Sequence, residues 1–320
     1  MSEQAGHRRR RTWVIVGVVV GSFVLLSCFG MLMMLLVFVG MSPDGGWGDR
    51  VGIVRISGEI GGSSGGLSLL REVVEVESTM ELLREAAEDG RTKAIVLRIN
   101  SPGGSASAAQ EIYQAIRRVK EKTGKPVVAS LGDVAASGAY YVAAAADKIV
   151  ATPATLTGSI GVIMELENFE EVMKKIGVRF DTIKSGKHKD IGSPFRGMTS
   201  EERGIMRSLI MDVYDQFISD VARGRNLSKE RVRQLADGRM FTGRQAKALG
   251  LVDELGGLQE AVTLAARLAQ MRDEPQVYEF KRGESLMDIL IGSVIHAIRL
   301  EVREALSGGL RRRGAGVRMK

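Results

Sequence analysis

Lys125-Pro-Val-Val-Ala-Ser-Leu131 runs directly into Gly132-Asp-Val-Ala-Ala-Ser-Gly-Ala-Tyr-Tyr141 and then Val142-Ala-Ala-Ala-Ala146. The first piece is a short apolar run that reads as a buried strand, and Tyr140 to Ala146 are small, good helix formers. Ser137 therefore stands at a strand-to-helix turn, flanked by Ala136 and Gly138. A serine there has two readings. It caps the helix, as serine prefers to do. Or its hydroxyl is exposed beside outward-facing N–H groups, which suits a nucleophile and a developing oxyanion.

Outward from this turn the same rhythm repeats. Val51-Gly-Ile-Val-Arg-Ile56 reads as a strand, and Ser78 and Glu81 have the spacing of a capping box for a helix to about Glu88. Lys93-Ala-Ile-Val-Leu-Arg-Ile99 is nearly all apolar, as expected of a strand covered on both faces. It ends in Asn100-Ser-Pro-Gly-Gly104, ahead of a helix from about Ala106 to Lys122. Further strands are expected at Lys148–Ala151 and Val178–Ile183, and further capping boxes at Thr199/Glu202 and Thr242/Gln245. Strands alternating with helices predict an α/β fold of βα units on a mainly parallel sheet.

The 320 residues carry a formal charge of +7, but it sits at the ends. Arg8 to Arg11 against Glu3 give the first 41 residues +3, and Arg311, Arg312, Arg313, Arg318 and Lys320 give residues 307–320 +5. The rest carries −1, which argues against nucleic acid as a partner. Cys28 is the single cysteine, so no internal disulfide and no thiolate metal cluster can form. Trp13 through Met41 contains no charged residue and exceeds the roughly 20 apolar residues of a membrane span. The arginines before it predict a cytoplasmic N-terminus with the remainder outside. The run is too long for a cleaved signal peptide, so an uncleaved anchor is expected. The resulting division is 1–12 cytoplasmic, 13–41 anchor, 42–275 main domain, and 276–320 an amphipathic helix and basic tail.

The glycines of Asn100-Ser-Pro-Gly-Gly104 allow close backbone approach and would offer N–H groups to a ligand, although a plain βα turn uses the same residues. A base for Ser137 is less obvious. His7 lies across the expected anchor, leaving His188, His296, or a lysine of Lys184-Ser-Gly-Lys-His-Lys-Asp190. A lysine acts as a base only when neutral, and the clustering of Lys184, Lys187 and Lys189 pushes toward that state. A solvated basic loop would have the same composition.

The order and spacing of Asn100-Ser-Pro-Gly-Gly104, Ala135-Ala-Ser-Gly-Ala-Tyr-Tyr141, Ala146-Asp-Lys-Ile-Val-Ala-Thr-Pro153, Leu156-Thr-Gly-Ser-Ile-Gly-Val162 and Lys184-Ser-Gly-Lys-His-Lys-Asp190 carry a resemblance. With Asp237-Gly-Arg-Met-Phe-Thr-Gly-Arg-Gln-Ala-Lys247 and Gly250-Leu-Val-Asp-Glu-Leu255, they resemble the signal peptide peptidase A family in its short, single-domain bacterial form. The resemblance covers about residues 50–265 and the anchor. It implies a crotonase-like superhelix shared with the Clp protease subunit, assembled into homo-oligomeric rings, and no cofactor or metal. It implies Ser137 as nucleophile, Lys189 rather than Lys184 or Lys187 as general base, and Ser159 as the residue that orients the lysine. Gly104 and Gly138 would donate to the oxyanion, and the substrates would be remnant signal peptides at the membrane.

Two other classes of function share the fold's pattern. An acyl-CoA hydratase or isomerase would use paired carboxylates, for which Glu165 and Glu167 are the candidates. Those two read instead as the start of the next helix, and coenzyme A chemistry does not suit a domain facing outward. A non-catalytic membrane scaffold would not need Ser137, Lys189 and both glycine turns together.

Overall fold

The computed structural model describes residues 22, 25–34, 48–61, 73–272 and 274–281. The chain divides into two units, Met1–Gly48 and Asp49–Lys320. In the first, residues 25–34 are helical, and most of the anchor expected over 13–41 lies outside the described residues. Among the described residues no helix is long and apolar enough to cross a membrane. His7, His296 and the helix and tail expected beyond Leu286 also lie outside them.

The second unit is built on one sheet. Its main strands are β1 (Arg50–Ser57), β4 (Thr92–Ser101), β5 (Val127–Ala136), β6 (Lys148–Ala151), β9 (Glu254–Leu255) and β10 (Gln276–Phe280). They lie in the order β10-β1-β4-β5-β6-β9, every neighbouring pair parallel. β10, beyond the expected boundary at 275, thus belongs to the sheet. β5 forks: Val128–Leu131 pairs with β6, whereas Val134–Ala136 pairs with β7 (Leu156–Gly158). β8 (Met240–Thr242) adds to β7 antiparallel, so the sheet is mixed. A two-stranded piece, β2 (Glu59–Ile60) with β3 (Val73–Val74), stands apart.

Alternation along the strands fills both faces, as the apolar runs require. Val54, Ile56, Ile95, Leu97, Ile99, Val127, Ala129 and Ile149 point into one core, under α1 (Val76–Glu88), α2 (Ala106–Thr123), α3 (Gly138–Ala143) and α5 (Ser200–Arg225). Val51, Ile53, Ala94, Val96, Val128 and Val150 point the other way, onto α8 (Leu258–Leu268). Each fully buried Ile or Leu contributes about 1.5–3 kcal/mol. The boxes at Thr199/Glu202 and Thr242/Gln245 cap α5 and α7 (Gly243–Ala248) as the spacing predicts.

Three local expectations change. α1 starts before Ser78, with Glu75 at its N-cap and Thr79 Oγ1 donating to the Glu75 carbonyl, so no Ser78/Glu81 box forms. Glu165 and Glu167 are exposed and irregular, ahead of α4 (Glu170–Lys175). Val178–Ile183 is not a strand, and its apolar Val178, Phe180 and Ile183 are 41%, 51% and 99% exposed. Among the described residues no strand pairs with it. Nothing between 161 and 200 is buried, and this arm is irregular apart from α4. The chain resumes at α6 (Lys229–Leu235) after α5.

Candidate active site

Ser137 lies between β5 and α3 at φ 54°, ψ −123°, a conformation that side chains rarely adopt. Holding a non-glycine residue there costs on the order of 1–3 kcal/mol. The Ser137 N–H donates to the Gly158 carbonyl at 2.9 Å, and the Ser137 carbonyl accepts from Tyr141 N–H at 3.0 Å. Its side chain caps nothing. The capping reading therefore fails, and Ser137 lines a cavity of about 630 Å³.

The Asn100–Gly104 turn comes up against this serine. A Cβ on Gly103 would sit 2.8 Å from Gly138 N and 2.9 Å from Ser137 Cβ, so only glycine allows the approach. Ile60 clamps the turn, donating to the Gly103 carbonyl at 2.8 Å and accepting from Ser105 N–H at 2.9 Å. In such a parallel bridge the intervening residue turns its own polar groups away, so Gly104 N–H faces away from Ile60. A Cβ on Gly138 would be 3.4 Å from Gly104 N. These two N–H groups lie side by side next to Ser137, and neither has a protein acceptor among the described residues.

Ser159 completes the polar rim, at φ 50°, its N–H held by the Arg239 carbonyl at 2.9 Å. Ser137, Gly104, Gly138 and Ser159 all line the one cavity. The far wall is apolar: Ile210, Tyr214 and Phe217 from α5, Val162 and Ile163 from the arm. The sequence reading passed over this wall and the residue beneath it. Tyr141 stacks on Phe217, centroids 4.5 Å apart, and donates to Asp220 Oδ2 at 2.6 Å. Burial and that carboxylate push the Tyr141 hydroxyl pKa up, so it stays protonated. The signal available was the spacing of Ile210, Tyr214 and Phe217 on one face of α5.

Lys189 is elsewhere. It is exposed on the arm and is not among the residues lining the cavity, nor is any other lysine or histidine. The crowding expected of its neighbours is largely neutralised. Lys184 pairs with Asp190 at 2.6 Å, Lys187 pairs with Glu201, and His188 Nε2 lies 3.4 Å from Glu201. Asp190 is also held by Arg196 Nε at 2.8 Å, and Arg196 Nη2 reaches Glu202 at 2.6 Å. The Arg196 guanidinium, followed by Lys184, holds the Asp190 carboxyl well below the usual range; Arg196 and the Thr199 N–H pull Glu202 down to about 2. Glu165 and Glu167 are likewise absent from the cavity.

The chain is similar in sequence to known proteases. Sequence models of peptidase family S49 and of Clp protease match residues 119–272 and 72–158. A Methanocaldococcus jannaschii protein named as a protease is 35% identical over 82% of this chain and 84% of its own length. A Synechocystis protein, also named as a protease, is 48% identical over 58% of this chain and 66% of its own. An Enterococcus faecium protein named as a signal peptide peptidase is 37% identical over 66% of this chain and 61% of its own. The chain spans a third of Protease 4 of Haemophilus influenzae, at 40% identity. With a relative matched over most of both lengths and a serine set in a cavity beside two open N–H groups, the chain belongs to peptidase family S49.

Proposed function

We propose that the chain is a membrane-anchored serine endopeptidase in which Ser137 is the nucleophile and Lys189 the general base. Neutral Lys189 takes the proton from Ser137 Oγ as that oxygen attacks a peptide carbonyl, and the N–H groups of Gly104 and Gly138 receive the oxyanion. The ammonium then protonates the leaving amine, and water releases the acyl group by the same route. Ser159 orients the lysine. The observation that carries the reading is Ser137 itself: a strained serine that caps nothing and lines a cavity together with Gly104 and Gly138, whose N–H groups have no acceptor among the described residues.

Because Lys189 does not line the cavity of its own chain, the reading places it in the cavity of a neighbouring copy within a homo-oligomeric ring. The exposed Ile163, Phe180 and Ile183 of the arm support this, as apolar surface that assembly would cover. The apolar wall fits small or apolar side chains of an extended peptide, and remnant signal peptides are the substrate class proposed. The segment 13–41 holds the enzyme in the membrane, with the peptidase domain outside the cytoplasm.

A slowly released peptide ester, quenched early and mapped by mass spectrometry, should leave its acyl group on Ser137 and not on Ser105 or Ser159, which line the same cavity. Acylation at either of those would sink the assignment. Protease added to intact spheroplasts should digest the domain, and full protection would reverse the topology.

A further inference from the structure

Tyr141 follows Ser137 by one turn of α3, its N–H donating to the Ser137 carbonyl at 3.0 Å, and it lines the same cavity. Its ring is nearly buried and lies almost flat against Phe217, which lines the cavity as well, with centroids 4.5 Å and planes 14° apart. Tyr113 of α2, buried and absent from the cavity lining, packs against the Tyr141 ring at 5.3 Å. Aromatic pairs tolerate a range of offsets, so stacking by itself does not fix how deep the ring sits.

The hydroxyl supplies the missing restraint. It donates to Asp220 Oδ2 at 2.6 Å, a short bond to a carboxylate and therefore a strong one. Asp220 is only 6% exposed and is itself held from two sides. Arg223 Nη1 lies 2.8 Å from Asp220 Oδ1, and the Tyr113 hydroxyl donates to the Asp220 carbonyl at 3.3 Å. A buried carboxylate oxygen that loses its donor is costly, so the contact is kept. Tyr214, the other tyrosine lining the cavity, is pinned in the same way, its hydroxyl donating to the Ala236 carbonyl at 2.6 Å. Both hydroxyls are committed to protein acceptors, which leaves the cavity apolar although two tyrosines line it.

We infer that Asp220 is a positioning residue for substrate selection: by holding the Tyr141 hydroxyl it fixes the depth of the cavity beside Ser137, and with it the largest peptide side chain accepted there. The inference rests on the reading of Ser137 as the nucleophile and deepens it. Close-packed interiors deform little, so a floor held by packing and by a directional bond refuses a side chain that is too bulky. With the bond cut, the Tyr141 ring gives way to such a side chain.

The test uses the full-length protein in detergent with internally quenched peptides that carry Ala or Phe at one position at a time around the scissile bond. The readout is the ratio of kcat/KM for the Phe peptide to that for the Ala peptide, at the position where the wild type discriminates most against Phe. Tyr141→Ala removes the floor and should raise this ratio at least about tenfold, the scale on which apolar pockets discriminate by size. Asp220→Ala leaves the ring but cuts its tether, and should raise the ratio at the same position by a smaller factor. Asp220→Asn keeps an oxygen acceptor for the hydroxyl and should leave the ratio at its wild-type value. If Asp220→Ala does not fold, Tyr141→Phe cuts the same bond from the other side and carries the same comparison. A residue that only braces the fold would change kcat/KM for both peptides alike. A wild type that cuts Phe and Ala peptides equally at every position, a ratio that Tyr141→Ala or the tether-cutting variant leaves unmoved, or one that Asp220→Asn moves as far as Asp220→Ala, overturns the inference. Hydrolysis that survives in Ser137→Ala instead overturns the reading of Ser137 as the nucleophile.

Discussion

At the scale of the residue, Ser137 is held in a conformation that costs stability, and its neighbours enforce it. β7 fixes its N–H through Gly158, α3 fixes its carbonyl through Tyr141, and Gly103 leaves no room for the turn to relax toward the Asn100–Gly104 loop. Strain of this kind persists where the surrounding structure over-determines it, and it commonly marks a working site. Glycine takes the same φ and ψ without penalty. Ser137→Gly should therefore abolish peptide hydrolysis and yet unfold no lower than the wild type, with a gain of up to about 1–2 kcal/mol, or several degrees in Tm by calorimetry. A clear drop in Tm would show that the conformation is unstrained.

At the scale of the element, what could be read from sequence was what local chemistry decides. The apolar runs at Lys93–Ile99 and Lys125–Leu131 became β4 and β5 because a strand buried on both faces has no polar alternation to keep. Two capping boxes formed where a serine or threonine spacing met a free helix start, and the third did not because α1 begins earlier, at Val76. Val178–Ile183 failed for a different reason. Its apolar content suits a strand, but a strand needs a pairing edge, and none of the described strands pairs with it. The cavity was half legible. Ser137 and the glycine turns announce themselves by local backbone demands, whereas the apolar wall of Ile210, Tyr214 and Phe217 depends on how α5 crosses over α3. The knot of Lys184, Asp190, Arg196 and Glu202 is equally invisible in a list of charges, since only folding decides which acid each cation takes.

At the scale of the whole molecule, a single chain presents Ser137, Gly104, Gly138 and an apolar wall around one cavity, with no lysine or histidine among the residues lining it. It also presents an arm with nothing buried between 161 and 200, bearing Lys189 and several exposed apolar side chains. The proposed function accounts for both features by one arrangement, in which the arm of each copy reaches the cavity of the next. Surface of this kind is costly to leave in water, at about 25 cal/mol per Å² of apolar area, so assembly and completion of the site go together. The most direct measurement is to mix two inactive proteins, Ser137→Ala and Lys189→Ala, let their subunits exchange, and assay peptide hydrolysis. The expected result is that each variant alone is dead and the mixture is active, because the Lys189 of one chain meets the Ser137 of another. A mixture as inactive as its parts, under conditions where exchange is demonstrated and the wild type hydrolyses the peptide, would contradict it.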